Sequence, residues 1–155
     1  MKMKALPGGS LWNPHIADAN YGIALADEKS GDAAAADEAK AIYGSLMQVP
    51  DISLQAKAML GYGRLLEKAG FGVKPAPQGP NENSIFYYRE PHVHVYGFTV
   101  PALCAEGLYD AGQAYEKAGD KANAKKQYDE LLKNYSTSAP DWAAKATAAS
   151  AALGA

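Results

Sequence analysis

Polar and apolar positions follow a helical rhythm over most of this chain. The first such stretch runs from about Pro14 to Ser30 and is entered at Leu11-Trp12-Asn13-Pro14, where asparagine can accept from the free amides of a helix start and proline suits the first helical position. Gly31-Asp32 interrupts it. Ala33 to Gln48 resumes the pattern with Ala39, Ile42, Tyr43, Leu46 and Met47 on one face, until Val49-Pro50 ends it. Asp51 can cap a third helix, whose apolar or small positions Leu54, Ala58, Gly61, Leu65 and Met59, Tyr62, Leu66 continue to about Ala69 before Gly70. Further on, Thr99 is read as the cap of a helix from Val100 to Ala118 and Asp120 as the start of the next. Ser138, with Asp141 three residues later, makes a capping-type start for a last helix ending near Leu153.

Between the third and fourth of these patterns lies a break, Phe71 to Phe98. Its first half, GVKPAPQGPNENS, is too rich in Pro, Gly and Asn to hold a helix. Its second half, IFYYREPHVHVYGF, is aromatic and β-branched with a proline in the middle, which predicts extended chain or a short hairpin, ordered by its aromatic residues. Extended chain rises about 3.3 Å per residue, so such a strip is long enough to fill the slot of an absent return helix.

Three segments share one signature: Glu28-Lys29-Ser30-Gly31, Glu67-Lys68-Ala69-Gly70 and Glu116-Lys117-Ala118-Gly119. Aligned on their glycines, they place Ala24, Gly63 and Gly112 at one small position, where a larger side chain would force paired helices apart, so Gly112 is expected against a neighbouring helix. The spacings of 39 and 49 residues are unequal, so the units carry insertions. The unit from Leu108 to Tyr135 meets the template W-x2-L-G-x2-Y, A-x3-F, P at Leu108, Ala111-Gly112, Tyr115, Ala124, Tyr128 and Ser136. It therefore resembles a tetratricopeptide (TPR) repeat, with Leu108 standing for Trp, Ala111 for Leu and Ser136 for Pro. Trp142 and Ala146 follow at the family period, so residues 138–153 resemble half of another repeat used as a cap.

The resemblance implies an all-α chain of antiparallel helical hairpins in a right-handed α-solenoid, one domain over residues 1–155 with an insertion at 71–98. It also implies a concave groove, lined by the first helices of successive repeats, that takes a protein or peptide. The positions that line it land here on Asp18, Tyr21, Lys57, Leu60, Arg64, Glu106, Tyr109 and Gln113. Lys57 and Arg64 would offer free cations to an acidic or carboxylate-ended segment. The run Tyr128 to Ser138 is similar to the Y-x2-L-L-x2-Y-P-x-S ending of bacterial cell-envelope TPR proteins, with Ser136 in place of Pro.

Composition narrows the classes. The chain has 155 residues, 48% hydrophobic and 21% charged, enough for one buried core. A formal charge of −2 gives no field to gather phosphates, which speaks against nucleic acid as a partner. The single cysteine, Cys104, sits in an apolar helical pattern and reads as a small buried hydrophobe. No stretch approaches the roughly 20 apolar residues of a membrane span, and the N-terminus has no apolar region of signal-peptide length. A homo-oligomer is compatible with all of this.

No nucleophile elbow, phosphate-cradling glycine loop or Cys and His pair appears, so no catalytic residue, cofactor or enzymatic activity is expected. Glu90-x-His92-x-His94 would point three metal ligands to one face of a strand, but zinc sites need more matched donors than this chain offers. Tyr43, Tyr115 and Tyr128 read as core, and the Glu-Lys steps as solvated helix ends. Two readings follow. One is a non-catalytic scaffold binding a protein or peptide. The other is a small-molecule or metal module built on the 85–98 strip, with Tyr87, Tyr88, His92 and His94 on its surface. A strip buried against the helices favours the first, and an open pocket holding both histidines favours the second.

Overall fold

A computed structural model describes residues 13–94 and 96–154. Seven α-helices are found among them and no strand: α1 (Pro14–Ser30), α2 (Ala33–Leu46), α3 (Ile52–Lys68), α4 (Ser84–Val93), α5 (Pro101–Lys117), α6 (Lys121–Tyr135) and α7 (Pro140–Leu153), with a 3-10 turn at Tyr96–Phe98. None of the helices is long and apolar enough to cross a membrane. The Leu11-Trp12 part of the predicted helix entry lies outside the described residues. Its continuation holds, because the Asn13 side chain accepts from the amides of His15 and Ile16 and Pro14 opens α1.

Consecutive helices pack pairwise, and α1, α3, α5 and α7 also contact one another in turn, so the chain reads as three hairpins and a terminal helix. The hairpin turns explain half of the repeated signature. Gly31, Gly70 and Gly119 all have left-handed backbone, with φ of 77°, 90° and 78°, a region that glycine enters without a Cβ penalty and in which a helix stops.

The other half of the signature is a correction. Its glutamates are not solvated ends but hydrogen-bond acceptors for a tyrosine on the following helix. Tyr43 on α2 donates to Glu28 at 2.7 Å, Tyr88 on α4 to Glu67 at 2.7 Å, and Tyr128 on α6 to Glu116. Each tyrosine is a fully buried ring whose one polar atom needs a partner, and the glutamate at the end of the first helix supplies it. The next hairpin then supplies a cation. Arg64 meets Glu28 and Lys117 meets Glu67, while the Lys68 ammonium donates to the Glu28 carbonyl. Helix α7 has Thr147 and Ala151 where this cation would fall, and Glu116 is held instead by Tyr128 and Gln113 within its own hairpin.

The stretch predicted as an extended strip is helix α4. It fills the slot between α3 and α5, as the strip was expected to, but with helical backbone. Asn83 caps it by accepting from the Phe86 amide, and its buried residues Ser84, Ile85, Tyr88 and Pro91 recur at helical spacing rather than alternating. Pro91 lies inside the helix and removes the amide that would bond the Tyr87 carbonyl, and the helix ends two residues later at Val93; Tyr88 is the return-helix tyrosine equivalent to Tyr43 and Tyr128. The loop before α4 is tied down by Glu82, which accepts from Tyr62 at 3.2 Å and Tyr87 at 3.0 Å and lies 3.6 Å from Lys40.

Two caps also differ from the sequence reading. Helix α5 starts at Pro101 with Val100 as its cap residue rather than Thr99, and α7 starts at Pro140 after Ala139 rather than Ser138. Neither uses a side-chain cap, because the side chains of Val100 and Ala139 carry no polar atom to accept from the first amides. Cys104, Tyr43 and Tyr128 are buried, as expected, and Tyr115 is partly buried.

Glycine sets the helix separations. A Cβ on Gly112 would lie 2.3 Å from the Tyr128 ring, on Gly61 2.3 Å from the Tyr43 ring, and on Gly63 2.7 Å from the Tyr88 ring. The tightest approach is at Gly107, where a Cβ would come within 2.0 Å of the Tyr88 carbonyl oxygen, a backbone atom that no rotamer change can move. Gly107→Ala is therefore expected to destabilise by about 1–3 kcal/mol despite alanine's better helix propensity. Gly44→Ala, where no atom lies within 4 Å, is expected to stabilise by about 0.5–1 kcal/mol. Denaturant midpoints test the pair, and a gain of stability in Gly107→Ala would mean that α4 and α5 do not approach as described.

Candidate functional site

The face made by α1, α3, α5 and α7 gathers most of the predicted contact residues, and the structure divides them into three kinds. Asp18 is exposed on α1. Tyr21, Lys57, Glu106 and Tyr109 are partly buried and accessible, with the Lys57 ammonium 5.6 Å from the Tyr21 ring centroid. The remaining three are committed elsewhere. Leu60 is 1% exposed and packs with Ile85, Tyr88, Ala111 and Ala114, so it is a core residue and no contact. Gln113 donates to Tyr128 and Glu116.

Arg64 is the third. Its Nε is 2.6 Å from one Glu28 oxygen and its Nη2 3.1 Å from the other, a bidentate clamp on a carboxylate 5% exposed. Burial alone would raise the Glu28 carboxyl's pKa, but the hydrogen bonds from Arg64 and Tyr43 and the charges of Arg64 and Lys68 outweigh it and hold it below its ordinary value. The cation expected to grip a guest's carboxylate already grips one belonging to the fold.

Residues not among the predicted contacts complete this face. Trp142 on α7 sits 5.5 Å from Tyr109 between ring centroids, and the Lys145 ammonium lies 4.0 Å from the Trp142 ring centroid. Asp110, one turn after Glu106 on α5, is within electrostatic reach of Glu106, Arg64, Glu67 and Lys117. Burial first, then the neighbouring charges of Glu106 and Glu67, push its pKa up to about 7 against the pull of Arg64 and Lys117. Burial also raises Glu106, opposed by Arg64 and Lys145. The signal for Asp110 was available as its spacing of four from Glu106 on a recognised helix.

The insertion residues go elsewhere. Tyr88 is 1% exposed and points to Glu67, and Tyr87 packs tilted against Tyr62 with ring centroids 4.4 Å apart while donating to Glu82. On a helix Glu90, His92 and His94 no longer share one face. His94 lies 2.7 Å from Glu90, whereas His92 turns to α6, 2.7 Å from the Tyr135 hydroxyl and 3.0 Å from Glu130. A cavity of about 700 Å³ includes His92, Arg89, Phe98 and Tyr135 but not His94. The three donors proposed for a metal are thus not brought together, and the histidines act as links, His92 joining α4 to α6.

The last hairpin joins the two strongest marks of the repeat, Gly112 under the Tyr128 ring and the left-handed Gly119 between α5 and α6. Residues 106–138 match the tetratricopeptide repeat family model. No curated protein and no solved structure gave a significant match to the chain. The TPR match spans most of α5 and all of α6, and together with the all-helical fold it supports a TPR family and a helical-repeat architecture. Such repeats suggest a protein partner.

Proposed function

We propose that this chain is a non-catalytic TPR-like scaffold, one helical domain whose α1, α3, α5 and α7 face binds a protein or peptide segment. The observation that carries the reading is the row of Tyr21, Lys57, Glu106, Tyr109 and Trp142 across four successive first helices, partly exposed and with rings in contact or near contact. Aromatic rings on a rigid helical face bring large contact area at low entropic cost, which suits them as anchors of an interface. The Tyr128 to Ser138 ending supports a place in a bacterial cell-envelope assembly. The alternative built on the insertion loses its ground with Tyr88 buried and the two histidines engaged apart.

Site-directed photocrosslinking tests the face without assuming what binds it. A photoreactive phenylalanine derivative at position 57 or 145 is expected to crosslink a partner from the native extract, and the same group at position 125, exposed on α6, is expected not to. Crosslinks from position 125 and none from 57 or 145 would move the binding surface to the other side of the molecule.

A further inference from the structure

We propose that the α1, α3, α5 and α7 face receives a basic segment, with Glu106 and Asp110 accepting a lysine, arginine or N-terminal ammonium of the partner. This rests on the scaffold reading above and specifies the partner's chemistry. The inference comes from comparing the cations of the face with the partly buried carboxylates of α5, Asp18 being exposed on α1. Arg64 is clamped to Glu28, Lys57 lies over the Tyr21 ring, and Lys145 lies over the Trp142 ring. Each cation has an internal partner. Neither carboxylate is in contact with one: among the described residues, Glu106 and Asp110 make no hydrogen bond and no ion pair, and only the through-space pull of Arg64, with Lys145 on Glu106 and Lys117 on Asp110, opposes the cost of their burial.

That imbalance runs against folding. Like charges four residues apart on a helix repel, and partial burial removes the water that would screen them. The fold elsewhere leaves few such debts, since Glu28, Glu67, Glu82, Glu116 and Glu130 all have partners from another part of the chain. Charge complementarity therefore selects a cation as the group that Glu106 and Asp110 are missing. The Tyr21 and Trp142 rings are already taken by Lys57 and Lys145, so the guest's cation is left to the two carboxylates. An acidic segment would face two unpaired carboxylates, with Arg64 unavailable to it.

The test uses N-acetylated, C-amidated decapeptides carrying zero, two or four lysines, and a matched set carrying glutamates. Binding to the full chain is read by fluorescence anisotropy and, in a Trp12→Phe background, by Trp142 emission. Affinity is expected to rise with lysine number, and the four-lysine peptide to bind at least about tenfold better than its glutamate counterpart. E106Q/D110N is expected to lose about tenfold, with the fold checked by circular dichroism. D37N/D129N removes the same charge from exposed sites on α2 and α6 and is expected to bind like wild type. Equal weakening by both double variants would reduce the effect to bulk charge and overturn the proposal. So would a preference for the glutamate peptides, or no binding of any lysine peptide at millimolar concentration. If the peptides fail while positions 57 and 145 still crosslink a native partner, the charge assignment falls and the scaffold reading stands.

Discussion

Arg64→Ala is expected to cost about 3–5 kcal/mol of folding stability, because it leaves the Glu28 carboxylate buried without its bidentate partner. Tyr43 would still donate to Glu28, and Lys68 would remain near it, so the lower end of that range is the expected result. Arg64→Glu should be worse, since it sets a second carboxylate against the first. The double variant Glu28→Gln/Arg64→Met is expected to recover much of the loss, because exchanging both members of a buried pair for neutral groups removes the desolvation cost along with the attraction. Urea denaturation of the three variants beside wild type gives the measurement. A loss under 1 kcal/mol in Arg64→Ala would mean that the clamp is a surface pair and that Arg64 is free to meet a ligand, as the sequence alone suggested.

That reversal shows where sequence reading works and where it stops. The ends of α1 and α3 were legible because Asn13-Pro14, Asp51 and Gly70 are local signals whose partners lie within four residues. The repeated Glu-Lys-x-Gly signature was equally visible, and its glycines mean what glycine there should mean. Its glutamates were misread because their partners are distant: Tyr43, Tyr88 and Tyr128 are 15, 21 and 12 residues away on another helix, and Arg64 is 36 residues from Glu28. A charged residue next to lysine looks solvated until a buried tyrosine is known to reach it.

Helix α4 failed for the opposite reason, a local signal taken too far. Pro91 and the β-branched residues around it argued for extended chain, yet one proline removes a single helical hydrogen bond, and α4 carries it two residues before its end. The better evidence was the repeat itself. Each hairpin needs a tyrosine on its return helix, and Tyr88 is the one that occupies that position in the second. On the face proposed for binding, template position singled out Tyr21, Lys57, Glu106 and Tyr109, which the fold leaves accessible, and also Leu60, which is buried because α4 packs over it.

The pH dependence of stability is expected to carry the mark of Asp110. Its carboxyl ionises near 3.8 in an unfolded chain and at about 7 in the folded one. A carboxyl whose folded pKa is raised binds its proton more tightly in the native state, so it supports folding most fully below the unfolded value. That support is lost as pH rises from about 4 through about 7. The groups that surround it fix the sign: burial and the charges of Glu106 and Glu67 oppose ionisation more than Arg64 and Lys117 assist it. At about 1.4 kcal/mol per pKa unit, the loss between those limits is on the order of 2–4 kcal/mol. Asp110→Asn keeps the shape and removes the titration, so it should be more stable than wild type at pH 8 by an amount of that order, and the gap should close by pH 4. Urea unfolding of both proteins at several pH values isolates the effect, because every other titrating group is common to the pair. A stability difference that stays constant across this range would show that Asp110 is open to water. It would also remove one of the two uncompensated carboxylates from the face.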